Sequence, residues 1–354
     1  MFARENWFEH YFGFKESLEN VMSFIKVEEL ITKNNIISMK NNKIYNAGLF
    51  NLRSPSDFIN LPKFGKGKLF VVHGNGSSQN ISNVLFQQND NDFDGATFLC
   101  ASNFNCLEFP NINCSAGTLG ISGYSNDFTQ GPILSSACPG AICYRNYFVK
   151  HYDNNNKIYF GQVKKEIELL KKTPIKVCHG KALIKNDEEL KNLNFDWENE
   201  DNYMIGVHEN CGVYTNCDQN GLLKESEPNK IVHQVFASTF AFDSYVKRTP
   251  LTYKIASCIL KSEYKSTILA ALDHSIRYPN RKGSNKCVLT LLGGGAFLNP
   301  SDIIINAIKS NKKTIIDSGL NVYVMCFNSN IFEHVFPLLE STCKETGGSE
   351  INIK

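Results

Sequence analysis

The sequence predicts an α/β protein with a mixed, mainly parallel β-sheet. Near its end, a buried strand (KCVLTLLGGGAF, 286–297) leads through glycines into an amphipathic helix (300–313) and another buried strand (NVYVMCFN, 321–328). Strand, loop, helix and strand in this order indicate a βαβ crossover, which joins parallel strands. Two further apolar runs without alternation, VLFQQ (84–88) and GATFLCAS (95–102), are typical of strands buried on both faces.

The remaining elements follow from the spacing of apolar residues. Helical spacing predicts amphipathic helices at 16–33, 162–172 and 253–276, and small residues predict a helix from Ile133 onward. Two apolar runs around an Asn-Asn-Lys turn predict a hairpin at 34–50, and 66–75 reads as a strand. Core elements are also expected at 175–179, 203–214 and 234–245.

Composition sets limits on organisation and partners. The 354 residues are 42% hydrophobic and 20% charged, which allows a packed core. We expect an N-terminal α+β elaboration at 1–80 packed on a main domain at 81–354. A net charge of only +2 argues against non-specific nucleic-acid binding. Without a membrane-length apolar stretch or a secretory leader, the 12 cysteines are expected to be reduced and the protein cytoplasmic.

The glycine loop is the strongest local signal. Gly293, Gly294 and Gly295 lie between a strand and a helix, followed by Ala296, Phe297, Asn299 and Pro300. Glycines let backbone N–H groups approach a phosphate closely, and the following helix N-terminus adds favourable potential. The alternative is a flexible strand-to-helix turn. The loop lacks the GK[ST] ending of a Walker P-loop.

Two other segments carry polar groups where a ligand would bind. Asn103, Asn105 and Glu108 follow a buried strand, at the edge where open α/β sheets hold ligands. Asp127 precedes the segment Thr129-Gln130-Gly131-Pro132, and its carboxylate suits the activation of a water molecule. The alternatives are turns capped by the Asn or Asp side chains.

These three segments together resemble macrodomains. LTLLGGGAFLNP with the final strand is similar to their second phosphate loop, in the poly(ADP-ribose) glycohydrolase-like branch, and ATFLCASNFN to their Asn-bearing loop. The strings ASNFNCLEFP and NDFTQGPILSSACPGAICYRNYF, with IGVHENCGVY and QVFASTFAFDSY, resemble a narrower group of microbial and lower-eukaryote proteins. That group includes Legionella effectors that remove ADP-ribose from ubiquitin. The resemblance implies a three-layer α/β/α fold and covers roughly residues 10–330.

The resemblance also implies roles for particular residues. Asn103 or Asn105 would hold the distal ribose, and residues 293–297 with Asn299 would cradle the pyrophosphate. Thr129, Gln130 and Gly131 would lie in the first phosphate loop or the catalytic loop, and Asp90, a loose match, would bind adenine. From the chemistry of the residues, Asp127 is expected to be the catalytic carboxylate, with Glu108 as second candidate or as a partner that binds the ribose. TQGP replaces the usual glycine-rich loop, and the paired glutamates of poly(ADP-ribose) glycohydrolases are not recognisable.

The function implied is hydrolysis of ADP-ribose from modified protein, with no cofactor and no metal. Arginine-linked modification and ubiquitin are candidate substrates, and a bacterial effector delivered to a host cytosol is the alternative to a protein of its own cytoplasm. The alternatives are a non-catalytic reader of ADP-ribose and a hydrolase of a small NAD-derived metabolite.

Two competing sites are alternatives to this one. The first is a thiol nucleophile built from Cys106 or Cys138 with His208 or His233. The second is a zinc site built from Cys211 and Cys217 near His208 and Glu209. Buried structural cysteines and spacings unlike those of zinc ribbons or fingers explain both sets more simply. For Arg145, structural pairing is favoured over phosphate binding.

Overall fold

The computed structural model describes residues 4–74, 90–217, 223–226 and 229–352. The strand predicted at 84–88 lies outside this set. The architecture is built on a ten-stranded sheet with the order β1-β2-β3-β10-β13-β5-β14-β15-β4-β16. Its strands are β1 Ile25–Glu29, β2 Asn34–Ser38, β3 Ile44–Arg53, β4 Lys68–His73, β5 Thr97–Ala101, β10 Ile205–Gly212, β13 Ile231–Ala237, β14 Lys286–Thr290, β15 Asn321–Cys326 and β16 Glu350–Asn352.

Three small two-stranded sheets lie outside the main sheet. They are formed by β6 Lys150–Tyr152 with β7 Ile158–Phe160, β8 Val177–Cys178 with β9 Lys181–Ala182, and β11 Thr215–Cys217 with β12 Leu223–Glu225. The helices are α1 Trp7–Phe12, α2 Leu18–Phe24, α3 Gln130–Ser136, α4 Pro139–Tyr147, α5 Glu188–Lys191, α6 Pro250–Arg277, α7 Ser301–Ser310, α8 Lys312–Ser318 and α9 Ser329–Thr346. Short 3-10 turns are Arg4–Asn6, Pro55–Phe58, Asn91–Phe93, Ser122–Asn126 and Glu200–Asn202.

The sheet is mixed and mainly parallel, as predicted. β13, β5, β14, β15, β4 and β16 all run parallel, and β10, β3, β2 and β1 continue the sheet antiparallel to their neighbours. The β14–α7–β15 unit is the βαβ crossover that the sequence predicted. Because parallel strands end together, the carboxyl ends of β5, β13, β14 and β15 lie at one edge.

Helices cover both faces of the sheet. Successive side chains of a strand point to opposite faces, so Phe98 belongs to a core cluster that includes buried residues of α1, α3 and α4. Its neighbour Leu99 belongs to a second core cluster, which includes buried residues of α6, α7 and α9. The result is a three-layer α/β/α arrangement. Among the described residues, no helix has both the length and the apolarity to span a membrane.

The sheet crosses the predicted boundary at residue 80. β3 pairs with β10, and β4 lies between β15 and β16 inside the sheet. The first 74 residues therefore supply strands to the same sheet as the rest of the chain, because their backbone groups complete its hydrogen-bonding ladder.

Two predicted helices are corrected by the structure. The helix expected at 16–33 ends at Phe24, because β1 then pairs antiparallel with β2. The segment 162–172 forms no helix. There the Gln162 side chain accepts from Ile167 N–H at 2.9 Å, and Leu169 N–H donates to the Phe104 carbonyl at 2.8 Å. Tertiary hydrogen bonds thus override helical spacing. The predicted hairpin and the helices at 133 and 253–276 are confirmed.

Candidate active site

The sheet opens between β5 and β14 at its carboxyl edge. These strands pair only at their beginnings, Cys287 with Thr97 and Val288 with Phe98. Beyond that point the side chain of Gln130, and not β14, forms the hydrogen bonds to the β5 backbone. Its Nε2 donates to the Leu99 carbonyl at 2.7 Å, and its Oε1 accepts from Ala101 N–H at 2.8 Å. Gln130, predicted to bind ligand, is therefore the residue that ends the β5–β14 ladder and starts α3.

The two asparagines after β5 shape the loop that follows the strand. Asn103 is buried; its Nδ2 donates to the Phe109 carbonyl at 3.3 Å and its Oδ1 accepts from the Lys181 ammonium. Asn105 is also buried and donates to the Glu166 carboxylate at 3.0 Å. Both side-chain amides therefore hold the loop 102–108 in its conformation. The last residue of this loop, Glu108, lies at the cleft.

Glu108 is placed at the cleft by its surroundings. Its backbone N–H donates to the Tyr124 hydroxyl, and its carboxylate is half-buried. Burial raises the pKa of Glu108 most, the charge of Asp127 raises it further, and Lys181 and Arg145 act in the opposite direction. The net pKa is raised above the ordinary range of a glutamate, which makes Glu108 able to carry a proton near neutral pH.

Asp127 forms a turn just before α3. Its Oδ1 accepts from Thr129 N–H at 2.8 Å and from the Thr129 hydroxyl at 2.7 Å. Asp127 and the neighbouring Phe128 are exposed, and the Arg4 guanidinium lies 4.6 Å from the centre of the Phe128 ring. The structure thus brings together Asp127 and Glu108, the two carboxylates that the sequence singled out.

The glycine loop has the open backbone that phosphate binding requires. Gly293 has φ +75°, and Asn299 closes the loop by donating to the carbonyls of Phe240 at 2.8 Å and Gly293 at 3.2 Å. Within the described part of the chain, the N–H groups of Gly295, Ala296 and Phe297 have no hydrogen-bond partner. Consecutive unpaired amides before α7 suit an anion. Gly294 is exposed and borders the cleft.

Two cavities lie at this edge. The larger, about 680 Å³, lies between the Phe128–Gln130 segment, the glycine loop, α7 and the start of α9. The smaller, about 370 Å³, is walled by Glu108 and Asp127, and Phe128 lines both cavities. The larger volume lies within the range of about 300–1,000 Å³ of small-molecule sites.

The chain before β1 supports the wall of the smaller cavity. Glu16 accepts from the N–H groups of Ile121 at 2.8 Å and Ser122 at 2.7 Å, and from the Tyr147 hydroxyl at 2.6 Å. Gly120 lies so close that a Cβ there would be 2.6 Å from the Glu16 carboxyl carbon. Sequence reasoning gave Glu16 no role, because nothing in residues 16–33 except helical spacing stood out.

Lys181 was also missed. It lies in the two-residue strand β9, is buried, and has its ammonium 4.7 Å from the centre of the Phe297 ring. What distinguishes Lys181 is its burial, and burial of a single lysine cannot be read from the sequence. No local pattern therefore pointed to this residue.

Asp90 is a predicted site residue that the structure does not bring to the cleft. Its carboxylate caps the Asn91–Phe93 turn by accepting from Asp92 N–H at 2.7 Å. Its carbonyl accepts from the Lys230 ammonium at 3.0 Å, just before β13. Asp90 therefore lies at the amino ends of the strands, the opposite edge of the sheet.

The competing thiol site is not supported by the structure. Burial raises the pKa values of the Cys106 and Cys138 thiols, so neither is an activated nucleophile. His208 instead belongs to a buried network: its Nε2 donates to the Ala47 carbonyl at 2.6 Å, and its Nδ1 accepts from Arg145 at 3.2 Å. Arg145 has a structural partner, as expected: its Nε donates to the Cys106 carbonyl at 2.9 Å.

The zinc alternative likewise finds no cluster. No group of three His, Cys, Asp or Glu side chains suited to a metal occurs in the described ranges, which do not include the Cys217 side chain. Cys211 is buried and its Sγ lies 3.3 Å from the His208 carbonyl.

Comparison with known proteins finds likeness in structure alone. No family model and no curated protein sequence matches the chain. The fold is similar to poly(ADP-ribose) glycohydrolase from Deinococcus radiodurans in complex with ADP-ribose, with 10% identity, a TM-score of 0.46, and coverage of 83% of this chain and 95% of that one. It is also similar to poly(ADP-ribose) glycohydrolase from Thermomonospora curvata, with 8% identity, a TM-score of 0.39, and coverage of 97% and 98%. Because these TM-scores are below 0.5, the functional proposal rests on the residues of the site.

Proposed function

We propose that this protein hydrolyses ADP-ribose from ADP-ribosylated protein. The observation that carries the proposal is that two cavities share Phe128 as a lining residue: one is bordered by the glycine loop, and the other is walled by Glu108 and Asp127. The first cavity has the features of a site for a diphosphate-containing nucleotide. The second cavity has two carboxyl groups in its wall that can donate or accept a proton.

The larger cavity can bind the ADP part of the substrate. The unpaired amides of Gly295, Ala296 and Phe297 would donate to the pyrophosphate, where charge is complementary to the start of α7. Apolar side chains from α7 and α9, including Ile304, Ile331 and Val335, offer a wall for the flat face of a base. The distal ribose would then reach past Phe128 toward Glu108.

Glu108 and Asp127 would each carry out one of the two proton transfers of hydrolysis. The bond between the ribose anomeric carbon and the protein side chain breaks through an oxocarbenium-like transition state. Glu108 in its protonated form would donate its proton to the departing atom, while Asp127 would accept a proton from the attacking water. Thr129 donates two hydrogen bonds to one carboxylate oxygen of Asp127. The second carboxylate oxygen of Asp127 is therefore available for that water. The water's oxygen ends on the anomeric carbon, and no other reactant is consumed.

The charge of the smaller cavity favours an arginine-linked substrate. Asp127 contributes a charged carboxylate to its wall, Glu108 contributes a carboxyl group whose pKa is raised by burial, and no lysine or arginine is among the described residues that line it. A guanidinium leaving group fits this charge, whereas a carboxylate leaving group or a further ADP-ribose unit would be repelled. Ubiquitin modified on arginine belongs to this class and remains part of the proposal as a target.

The cysteines support a cytoplasmic place of action. All 11 cysteines whose side chains the structure describes are free thiols. Free thiols in this number suit a reducing compartment.

The proposal is tested with three substrates matched in ADP-ribose content. These are arginine-modified protein including ubiquitin, glutamate-modified protein, and poly(ADP-ribose), with released ADP-ribose followed by mass spectrometry. We expect release from the arginine-linked substrate at least about tenfold faster than from the others. Equal release from all three would overturn the choice of leaving group. Tight binding of ADP-ribose without any release would make the protein a reader.

A further inference from the structure

The long helix α6 packs against one face of the sheet and carries two adjacent buried polar residues, Glu263 and Tyr264. Adjacent residues of an α-helix point about 100° apart, so the two side chains reach different parts of the sheet. Neither is among the described residues that line the two cavities of the site, and the proposed chemistry uses neither of them. Their hydrogen bonds show which part of the site depends on them.

The hydroxyl of Tyr264 bridges the turn where β14 ends and the glycine loop begins. It donates to the Thr290 carbonyl at 2.9 Å and accepts from Leu292 N–H at 3.0 Å. Thr290 is the last residue of β14, and Leu292 directly precedes Gly293. Tyr264 therefore holds the point at which the glycine loop leaves the sheet.

The carboxyl group of Glu263 reaches the end of β13. Its Oε1 accepts from the N–H of Ser238, the first residue after the strand, at 3.3 Å. Burial raises the pKa of Glu263 well above its ordinary value, which favours the neutral acid. Among the described residues, Glu263 Oε2 and the Ser238 hydroxyl have no hydrogen-bond partner. Buried polar groups that are incompletely paired cost free energy, so packing alone does not account for an acid at this position.

The segment that follows β13, residues 238–242, supports the far end of the glycine loop. Phe242 N–H donates to the Phe297 carbonyl at 3.0 Å. The hydroxyl of Thr239 donates to Asn299 Oδ1 at 3.2 Å. The hydrogen bonds of the two buried α6 residues therefore lead to the two ends of the same loop.

We propose that Glu263 and Tyr264 are positioning residues of the glycine loop. Tyr264 holds the start of the loop through Leu292, and Glu263 holds the segment 238–242, on which the end of the loop rests. The proposal rests on the proposed function for its ligand, the pyrophosphate of ADP-ribose, whereas the conformation of the loop does not depend on that function. Backbone N–H groups bind an anion only when they converge on it, so a loop released at either end should bind pyrophosphate more weakly.

The part of the substrate that this loop would hold does not react. A contact that is equally strong in the bound substrate and in the transition state changes KM and leaves kcat nearly unaltered. Loss of either α6 contact should therefore raise KM at nearly constant kcat. A loss of folded protein alone would instead lower the apparent kcat and leave KM unchanged.

The test uses three substitutions in the full chain and one matched control. Tyr264→Phe removes the hydroxyl and keeps the ring. Glu263→Met removes the acceptor for Ser238 N–H, whereas Glu263→Gln keeps an acceptor oxygen in a neutral side chain. Tyr45→Phe is the control, because Tyr45 is also buried and its hydroxyl donates to the Tyr11 carbonyl at 2.6 Å. It lies near the start of β3, at the edge of the sheet opposite the glycine loop.

Calorimetry measures ADP-ribose affinity, amide hydrogen exchange measures the opening of residues 291–299, and thermal melting checks folding. We expect affinity to fall about tenfold in Tyr264→Phe and about threefold to tenfold in Glu263→Met, with exchange at 291–299 at least about tenfold faster in both. Glu263→Gln and Tyr45→Phe should match wild type in both measurements. If Glu263→Met fails to fold, Tyr264→Phe and Glu263→Gln decide. Wild-type affinity and exchange in folded Tyr264→Phe, or an equal loss of affinity in Tyr45→Phe, overturn the proposal.

Kinetics with arginine-linked substrate separate this proposal from the proposed function. In Tyr264→Phe, KM should rise about tenfold while kcat stays within about twofold of wild type. Weaker ADP-ribose binding by Tyr264→Phe, with no turnover by any protein including wild type, would reject the proposed hydrolase and leave the positioning role in place. Turnover by wild type, with unchanged KM and unchanged ADP-ribose affinity in folded Tyr264→Phe, would reject the positioning role alone.

Discussion

Gly131 packs directly against Glu108. A Cβ at residue 131 would lie 2.5 Å from Glu108 Oε1 and 1.9 Å from the Ala101 carbonyl oxygen. The first turn of α3 can therefore approach β5 only because residue 131 has no side chain. This contact fixes how far the carboxylate of Glu108 extends toward the cleft, and it joins the loop after β5 to the segment that carries Asp127.

The first prediction concerns this contact. Gly131→Ala should push α3 away from β5 and displace Glu108, lowering kcat about tenfold to hundredfold and the free energy of unfolding by about 1–3 kcal/mol. Timed assays of ADP-ribose release measure the change in kcat, and thermal melts measure the change in stability. Gly67→Ala is the control, because its Cβ would lie 1.9 Å from the Ile315 carbonyl oxygen, before β4 and away from the cleft. It should lower stability but leave kcat of the folded protein unchanged; an equal loss of kcat would contradict the special role of Gly131.

The second prediction concerns the charge of Asp127. Because that charge raises the pKa of Glu108, Asp127→Asn should lower it. If Glu108 donates a proton, activity is present below its pKa and is lost as pH rises through it. The residual activity of Asp127→Asn should therefore disappear at a pH lower by about half to one unit, and turnover should fall about hundredfold or more. ADP-ribose affinity by calorimetry should be kept. Wild-type turnover in this variant would remove Asp127 from the mechanism.

The third prediction concerns the glycine loop. Asn299→Ala removes the donor that holds the Phe240 and Gly293 carbonyls, so the loop should lose its shape and ADP-ribose affinity should fall about tenfold. Asn311→Ala is the matched control at the far end of α7, where the buried Asn311 donates to the Lys261 and Ala307 carbonyls, each at 3.0 Å. Both variants should lose stability, but calorimetry should show weaker ADP-ribose binding in Asn299→Ala alone. Equal affinities in the two variants would show that the loop does not bind the ligand.

The fourth prediction concerns the N-terminal segment. Glu16→Ala leaves the Ile121 and Ser122 amides and the Tyr147 hydroxyl without their acceptor, so the 120–127 wall should loosen. We expect a loss of about 2–4 kcal/mol in the free energy of unfolding and at least about tenfold in kcat/KM. Glu9→Ala, an exposed glutamate on α1, should change neither. Normal kinetics in a destabilised Glu16→Ala protein would confine Glu16 to a structural role.

Much of the fold was predictable because its signals are local. Continuous apolar runs identified β5, β14 and β15, and glycines between strand and helix identified the loop at 293–295. The same logic failed at 162–172. There the spacing is helical, but the Leu169 backbone bonds to Phe104, which lies far away in the sequence. Such pairing depends on the folded chain, and no local pattern reports it.

Site residues that lie next to the ends of the main strands could be predicted from the sequence. Site residues that come from other parts of the chain could not. Glu108, Asp127 and the glycine loop lie just after β5, before α3 and after β14, positions where ligands of α/β proteins bind. Gln130 was predicted to touch ligand, yet its amide completes the β5 backbone. Lys181 lies in a two-residue strand and Glu16 in the segment between α1 and α2, and their roles depend on burial and long-range hydrogen bonds.

The most direct test of the central claim compares wild type with Glu108→Gln on arginine-ADP-ribosylated protein, measuring ADP-ribose release by mass spectrometry and ADP-ribose affinity by calorimetry. The variant keeps the shape of the side chain but cannot donate or accept the proton as a carboxyl group does. We predict release by wild type, a fall of about 10²–10⁴-fold in kcat for the variant, and affinities that agree within about threefold. Release by Glu108→Gln at the wild-type rate, or no release by the wild type, would contradict the claim.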